Sequence, residues 1–164
     1  MAKSEANSEA NSEADGTGMD LILWRHADAE DGVPDETRQL TAKGRKQAQK
    51  MAAWLAARLP ADCRVLVSPA ARARETAAEF TEKVIIDKAV STAATPQGVL
   101  QAAGWPDGAG TVMVVGHQPT LGAVAALALT GEATAWNLKK GAIWWLAQDA
   151  DGVRVKAVIT PGIL

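Results

Sequence analysis

The chain contains two histidines, and each follows a short apolar run. His26 comes after Leu21-Ile22-Leu23-Trp24 and Arg25; His117 comes after Val112-Met113-Val114-Val115 and Gly116. A third polar group follows Val65-Leu66-Val67, where Ser68 and Pro69 lead into a segment carrying Arg72 and Arg74. Each group alone has a plainer reading: a loop histidine, a salt-bridged arginine, a solvated helix face. Together they have a chemistry. A neutral imidazole nitrogen can attack phosphorus and divide one difficult transfer into two easier ones. Guanidiniums bind a phosphoryl group with a planar fork of donors and stabilise charge on its oxygens during transfer. The same cations disfavour protonation of a neighbouring imidazole and so keep it nucleophilic.

Those side chains must be delivered to one place by the elements before them. The apolar runs read as strands buried on both faces, and amphipathic or Ala-rich stretches lie between them. Thr41 looks like a helix N-cap, with Ala48, Met51, Ala52, Leu55 and Leu59 at helical spacing until Pro60. Ser68-Pro69 reads as a second helix start, running to about Phe80. Val84 to Ile86 is a candidate third strand, Thr95-Pro96 opens a short helix, and Pro119 to Leu129 reads as another. Ile143 to Ala147 and Val153 to Ile159 read as two strands near a sheet edge, turning at Asp149 to Gly152. Alternation of this kind predicts a layered α/β domain around a mostly parallel sheet. Ligands of such sheets bind beyond the carboxyl ends of strands, where both histidines fall.

The whole chain narrows the choice. Its 164 residues, 48% hydrophobic, suit one domain with a real core. A net charge of −2 gives no basic face for nucleic acid or an anionic membrane, and no apolar run is long enough to span a bilayer. One cysteine, Cys63, excludes an internal disulfide framework, and the cytoplasm is the expected compartment. Two His and one Cys cannot build a His/Cys-rich metal site, so neither metal nor cofactor is expected. There is no P-loop and no Gly-x-Ser-x-Gly elbow, and Pro69 stands where a cysteine phosphatase loop starting at Cys63 would need arginine. Residues 1–18 repeat Ser-Glu-Ala-Asn with almost nothing apolar; a disordered tail is expected there, with the domain at 19–164. Trp24, Trp54, Trp144 and Trp145 sit in apolar patterns and read as core.

Arg25-His26-Ala27, the Ser68 to Thr76 segment and Val115-Gly116-His117, in that order, resemble the histidine phosphatase superfamily, or phosphoglycerate mutase-like fold. Thr37 to Gly44 and the short length look like its SixA type, the phosphohistidine phosphatases. The resemblance implies a three-layer α/β/α sandwich, His26 as nucleophile, and a phosphate pocket of Arg25, Arg72 and His117, with Arg74 outside it. Arg38 lies in the SixA-like stretch and is a further candidate for substrate binding. The implied substrate is a phosphorylated protein, such as a histidine-containing phosphotransfer domain, met by a monomer.

Two positions depart from the family pattern. Ala27 replaces the usual Gly, a small change. More consequential, many members carry a Glu general acid after the third strand, whereas Val90 to Pro96 has no acid. Asp35 matches an acidic position of the SixA pattern and is the candidate, with Asp28 and Glu30 as alternatives; equally, Asp35 could help cap the helix near Thr41. Two rival readings stay open: a phosphomonoesterase for small molecules, and a phosphoryl-binding module without catalysis.

Overall fold

A computed structural model describes residues 18–164, so the expected tail lies outside the described residues except for Gly18. Six strands form one sheet: β1 (Met19–Arg25), β2 (Arg64–Val67), β3 (Ile85–Ile86), β4 (Gly110–Gly116), β5 (Ile143–Asp149) and β6 (Gly152–Ile159). Their order is β3-β2-β4-β1-β5-β6. The first four are parallel, and β5 and β6 add on antiparallel. Four helices connect them: α1 (Ala42–Ala56), α2 (Ala71–Ala78), α3 (Pro96–Ala103) and α4 (Thr120–Thr130).

The strand period of two divides the core between the two faces. Leu21 and Leu23 of β1 join Val112 and Val114 of β4 against Val99, Leu100, Leu121 and Val124 of α3 and α4. Ile22 and Trp24 join Met113 and Val115 against Met51, Leu55, Ala73 and Ala77 of α1 and α2. The result is the three-layer α/β/α sandwich. Trp24 is fully buried and Trp145 nearly so, while Trp105 and Trp136, which fall outside any apolar pattern, pack against the α3/α4 side. Among the described residues no helix is long and apolar enough to cross a membrane.

Local signals place the helices with one exception. Thr41 caps α1, accepting from the Gly44 amide at 2.9 Å, and Thr95 caps α3 with Pro96 in its first turn. The chain turns through Arg58 and Leu59, whose amides both bond to Leu55, before reaching Pro60. The exception is Ser68-Pro69, which does not open a helix: α2 starts at Ala71, and its N-cap, Ala70, makes no side-chain bond. Strand pairing outlasts β2 by one residue, because the Ser68 amide still donates to the Val115 carbonyl. That holds Ser68 at the strand end and leaves Pro69 in the connection. β3 is shorter than expected, and both its isoleucines are exposed.

The first turn of α1 presses on the chain just past β1. A Cβ at Gly44 would overlap the Asp28 carbonyl oxygen, which already accepts from the Thr41 amide at 3.1 Å. Backbone cannot yield as a side-chain tip can. Gly44→Ala is therefore expected to destabilise the fold by about 1–3 kcal/mol, read as a lowered melting temperature.

Candidate active site

The register of three adjacent strands brings the chemistry together. Arg25 of β1 pairs with Gly116 of β4, and Val67 of β2 pairs with Val115. The three strands thus end in line. His26 and Ser68 stay attached just beyond them: the His26 amide donates to the Gly116 carbonyl, as Ser68 does to Val115. His117 follows Gly116 directly. The His26 and His117 rings lie 5.3 Å apart, centroid to centroid, at 55°.

A cavity of about 330 Å³ opens at this point, lined by Arg25, His26, Arg38, Arg72 and His117, all candidates from the sequence. Arg74 is exposed and does not line it. Ala29, Asp31, Thr92, Gln118 and Lys140 complete the wall. None of these five carried a signal in the sequence, although Gln118 is the neighbour of His117 and Thr92 lies in the Val90 to Pro96 stretch.

Each charged group is held by a named contact. Arg25 donates through Nη1 to the Leu138 carbonyl at 2.8 Å. Arg72 is buried and spends Nη1 on the Asp35 carbonyl and Nη2 on its carboxylate, at 2.9 and 3.0 Å. Arg38 reaches the other Asp35 oxygen at 3.0 Å and the Glu30 carbonyl with Nη1. Thr76, one helical turn past Arg72, donates to the Arg72 carbonyl and accepts from the Ala27 amide at 3.0 Å, tying the His26 loop to α2. Among the described residues, three buried side-chain nitrogens keep no protein partner: Nε of Arg25, Nε of Arg72 and Nδ1 of His117. All belong to side chains lining the cavity. Buried donors are rarely left unpaired, and a ligand with several acceptor oxygens would satisfy them.

His26 donates from Nδ1 to the Ala27 carbonyl at 2.8 Å, which leaves the lone pair on Nε2. Burial pushes its pKa down to about 3, and the charges of His117, Arg72 and Arg25 push the same way against that hydrogen bond. His117 is lowered to about 4, by burial first and then by Arg72, with Asp35 opposing. Both imidazoles are neutral at neutral pH.

Asp35 sits elsewhere than expected. It is not part of the cavity wall; its carboxylate bridges Arg72 and Arg38. The Arg72 hydrogen bond lowers its pKa, so in this arrangement it is an anchor for guanidiniums and a poor proton donor. Nor does it cap α1, which Thr41 does. Asp28 is likewise lowered, by the Thr41 hydroxyl and then Lys140, and Glu30 is exposed. Asp31 is the carboxylate that lines the cavity. Among the described residues no group of three or more His, Cys, Asp or Glu could hold a metal ion. The partly buried Cys63 thiol is pushed up to about 11, chiefly by burial.

Comparison with known proteins bears on this geometry. Residues 21–92 match the model of the histidine phosphatase superfamily (branch 1). The chain is 33% identical over 124 residues, 70% of its length, to the phosphohistidine phosphatase SixA of Escherichia coli K12, covering 76% of that protein. The chain belongs to the histidine phosphatase superfamily. It is also 38% identical over 109 residues to an uncharacterized protein of Mycobacterium tuberculosis CDC 1551. The match there spans 62% of this chain and 66% of that relative's length, just under two thirds. Among solved histidine phosphatases, a protein histidine phosphatase SixA complexed with tungstate superposes with a TM-score of 0.76 at 26% identity, covering 88% of this chain and 99% of that one.

The depressed histidines have a consequence for stability. An unfolded histidine titrates near 6.5, whereas the folded ones stay neutral to about 3 and 4. Between those values the unfolded chain binds more protons, so stability is fully present above pH 6.5 and is lost as pH falls. From pH 7 to pH 5 the loss is roughly 2 kcal/mol per histidine. His26→Asn should remove one such contribution and flatten the pH dependence of denaturant midpoints. With only two histidines, imidazole NMR titration reads the same property directly, and resonances titrating near pH 6.5 would contradict it.

Proposed function

We propose that the protein is a phosphohydrolase in which His26 Nε2 attacks a phosphoryl group and water then releases it as phosphate. The observation that carries this reading is the orientation of His26. Its Nδ1 is committed to the Ala27 carbonyl, which leaves the lone pair on Nε2, and the ring belongs to the wall of a cavity that Arg25 and Arg72 also line. A module that merely binds phosphoryl groups would want the arginines but would have no need of a neutral imidazole held in one tautomer. A tungstate complex of a relative fits the same view, since tungstate is a tetrahedral oxyanion like phosphate.

In the first step the Nε2–P bond forms as the bond from phosphorus to the leaving group breaks. Arg25 and Arg72 take up charge on the equatorial oxygens, and His117 donates from Nδ1. In the second step water attacks phosphorus and His26 leaves as a neutral imidazole. Proton supply to the leaving group discriminates among substrates. The carboxylates of Asp35 and Asp28 are ion-paired, and Asp31 on the cavity wall is the remaining candidate. An alkoxide leaving group needs a strong acid at this point; a phosphohistidine imidazole does not, because it is protonated readily by water or a weak acid.

We therefore assign a protein-borne phosphohistidine, as on a histidine-containing phosphotransfer domain of a signalling relay, as the preferred substrate. The similarity to SixA of Escherichia coli points the same way. His26→Ala should lower turnover by on the order of 10⁴-fold or more. Quenching wild type during turnover of a labelled substrate should yield an acid-labile, base-stable phosphoenzyme that the variant never forms. The substrate class is tested by a ratio: kcat/KM on a phosphorylated transfer domain against kcat/KM on a panel of phosphometabolites. If the best phosphometabolite has the larger value, the small-molecule esterase replaces this assignment.

A further inference from the structure

Ser68 is almost completely buried at the end of β2, and the phosphoryl chemistry above leaves it without a task. Its Oγ has two partners. It accepts from the Ala70 amide at 3.2 Å, and it lies 2.7 Å from His117 Nε2. A hydroxyl carries one proton, and a buried one needs an acceptor. Since the Ala70 amide is itself a donor, the acceptor within reach is His117 Nε2. A neutral His117 that accepts at Nε2 carries its own proton on Nδ1. That nitrogen is buried, has no protein partner, and belongs to a ring on the cavity wall beside His26.

We propose that Ser68 is a positioning residue: by donating to Nε2 it locks His117 in the Nδ1–H tautomer and so supplies the pocket with a neutral hydrogen-bond donor. The opposite tautomer is disfavoured twice. It would strand the Ser68 hydroxyl proton in the core, and it would aim the bare Nδ1 lone pair into a pocket for phosphoryl oxygens, where two lone pairs repel. The chain of contacts runs from the backbone to a ring on the cavity wall. Ser68 is fixed by the hydrogen bond its N–H donates to the Val115 carbonyl, its Oγ is oriented by the Ala70 N–H, and the imidazole takes its direction from the hydroxyl. This also explains why Ser68 fails as a helix cap: its oxygen faces the sheet's next strand end. The contribution to rate rests on the phosphohydrolase reading; the tautomer assignment does not.

The test is nitrogen-15 NMR of the full chain labelled at histidine, at neutral pH, with the two imidazoles assigned by single substitution. In wild type, His117 should show a protonated Nδ1 and an unprotonated Nε2. In Ser68→Ala that single tautomer should be lost, and kcat should fall on the order of 10- to 100-fold with a smaller change in KM, since the donor acts on charge developed in transfer. Ser68→Thr retains the hydroxyl and should keep the wild-type tautomer and most of the rate. A wild-type His117 protonated at Nε2 overturns the proposal without any variant having to fold. So does a Ser68→Ala protein that keeps the Nδ1–H tautomer. Were the wild-type tautomer as stated but no phosphorylated substrate turned over, the phosphohydrolase reading would fall and the assignment of Ser68 would stand.

Discussion

Positive charge gathered in a poorly solvated place is the constraint around which this structure is arranged. Arg25 and Arg72 sit beside two imidazoles, and burial together with the neighbouring charges disfavours protonation of either ring. Both histidines are neutral as a result, which is the state in which one can offer a lone pair and the other a proton. The guanidiniums, always charged, must be steadied by other means. Arg72 is held by a carbonyl and a carboxylate of one residue, Asp35, and Arg25 by the carbonyl of Leu138. Asp35 is off the cavity wall, so Arg25, Arg38, Arg72 and Lys140 outnumber the one carboxylate on it, Asp31, and the field toward a ligand is positive.

The fold meets that constraint through strand register. Three parallel neighbours end level, so three segments distant in sequence emerge side by side. The first two, at His26 and Ser68, are still gripped by β4 for one residue past the sheet. Loops alone would hold such crowded cations poorly. Here Arg25 and Arg72 lean on backbone carbonyls, and the loop carrying His26 leans on Thr76 of α2.

Much of this was legible in the residues. The apolar runs before His26, Ser68 and His117 identified the strands because buried parallel strands have no polar alternation to hide in. The convergence of two histidines with Arg25 and Arg72 followed from where strands end. Legibility stopped at contacts that depend on a partner far away in the chain. Ser68-Pro69 has the local chemistry of a helix cap, and nothing nearby shows that its hydroxyl is taken by His117, 49 residues on. Asp35 could be matched to a pattern position, yet its pairing with Arg72, 37 residues away, lowers its pKa and is a tertiary fact. Lys140, Thr92 and Asp31 reach the cavity wall from loops, where spacing carries no periodic signal.

The segment from Leu138 to Ala142 is bound to the end of β1 almost wholly through its backbone. Trp24 donates to the Gly141 carbonyl, Arg25 to those of Leu138 and Ala142, and the Gly141 amide donates to His26. The exposed side chains it carries, Lys139 and Lys140, are left out of that grip, apart from the surface ion pair of Lys140 with Asp28. The two demands on an evolving enzyme are thereby separated along one short stretch of chain. Main-chain atoms hold the end of β1 in place, so a change of side chain at Lys140 alters the rim of the cavity without loosening that grip.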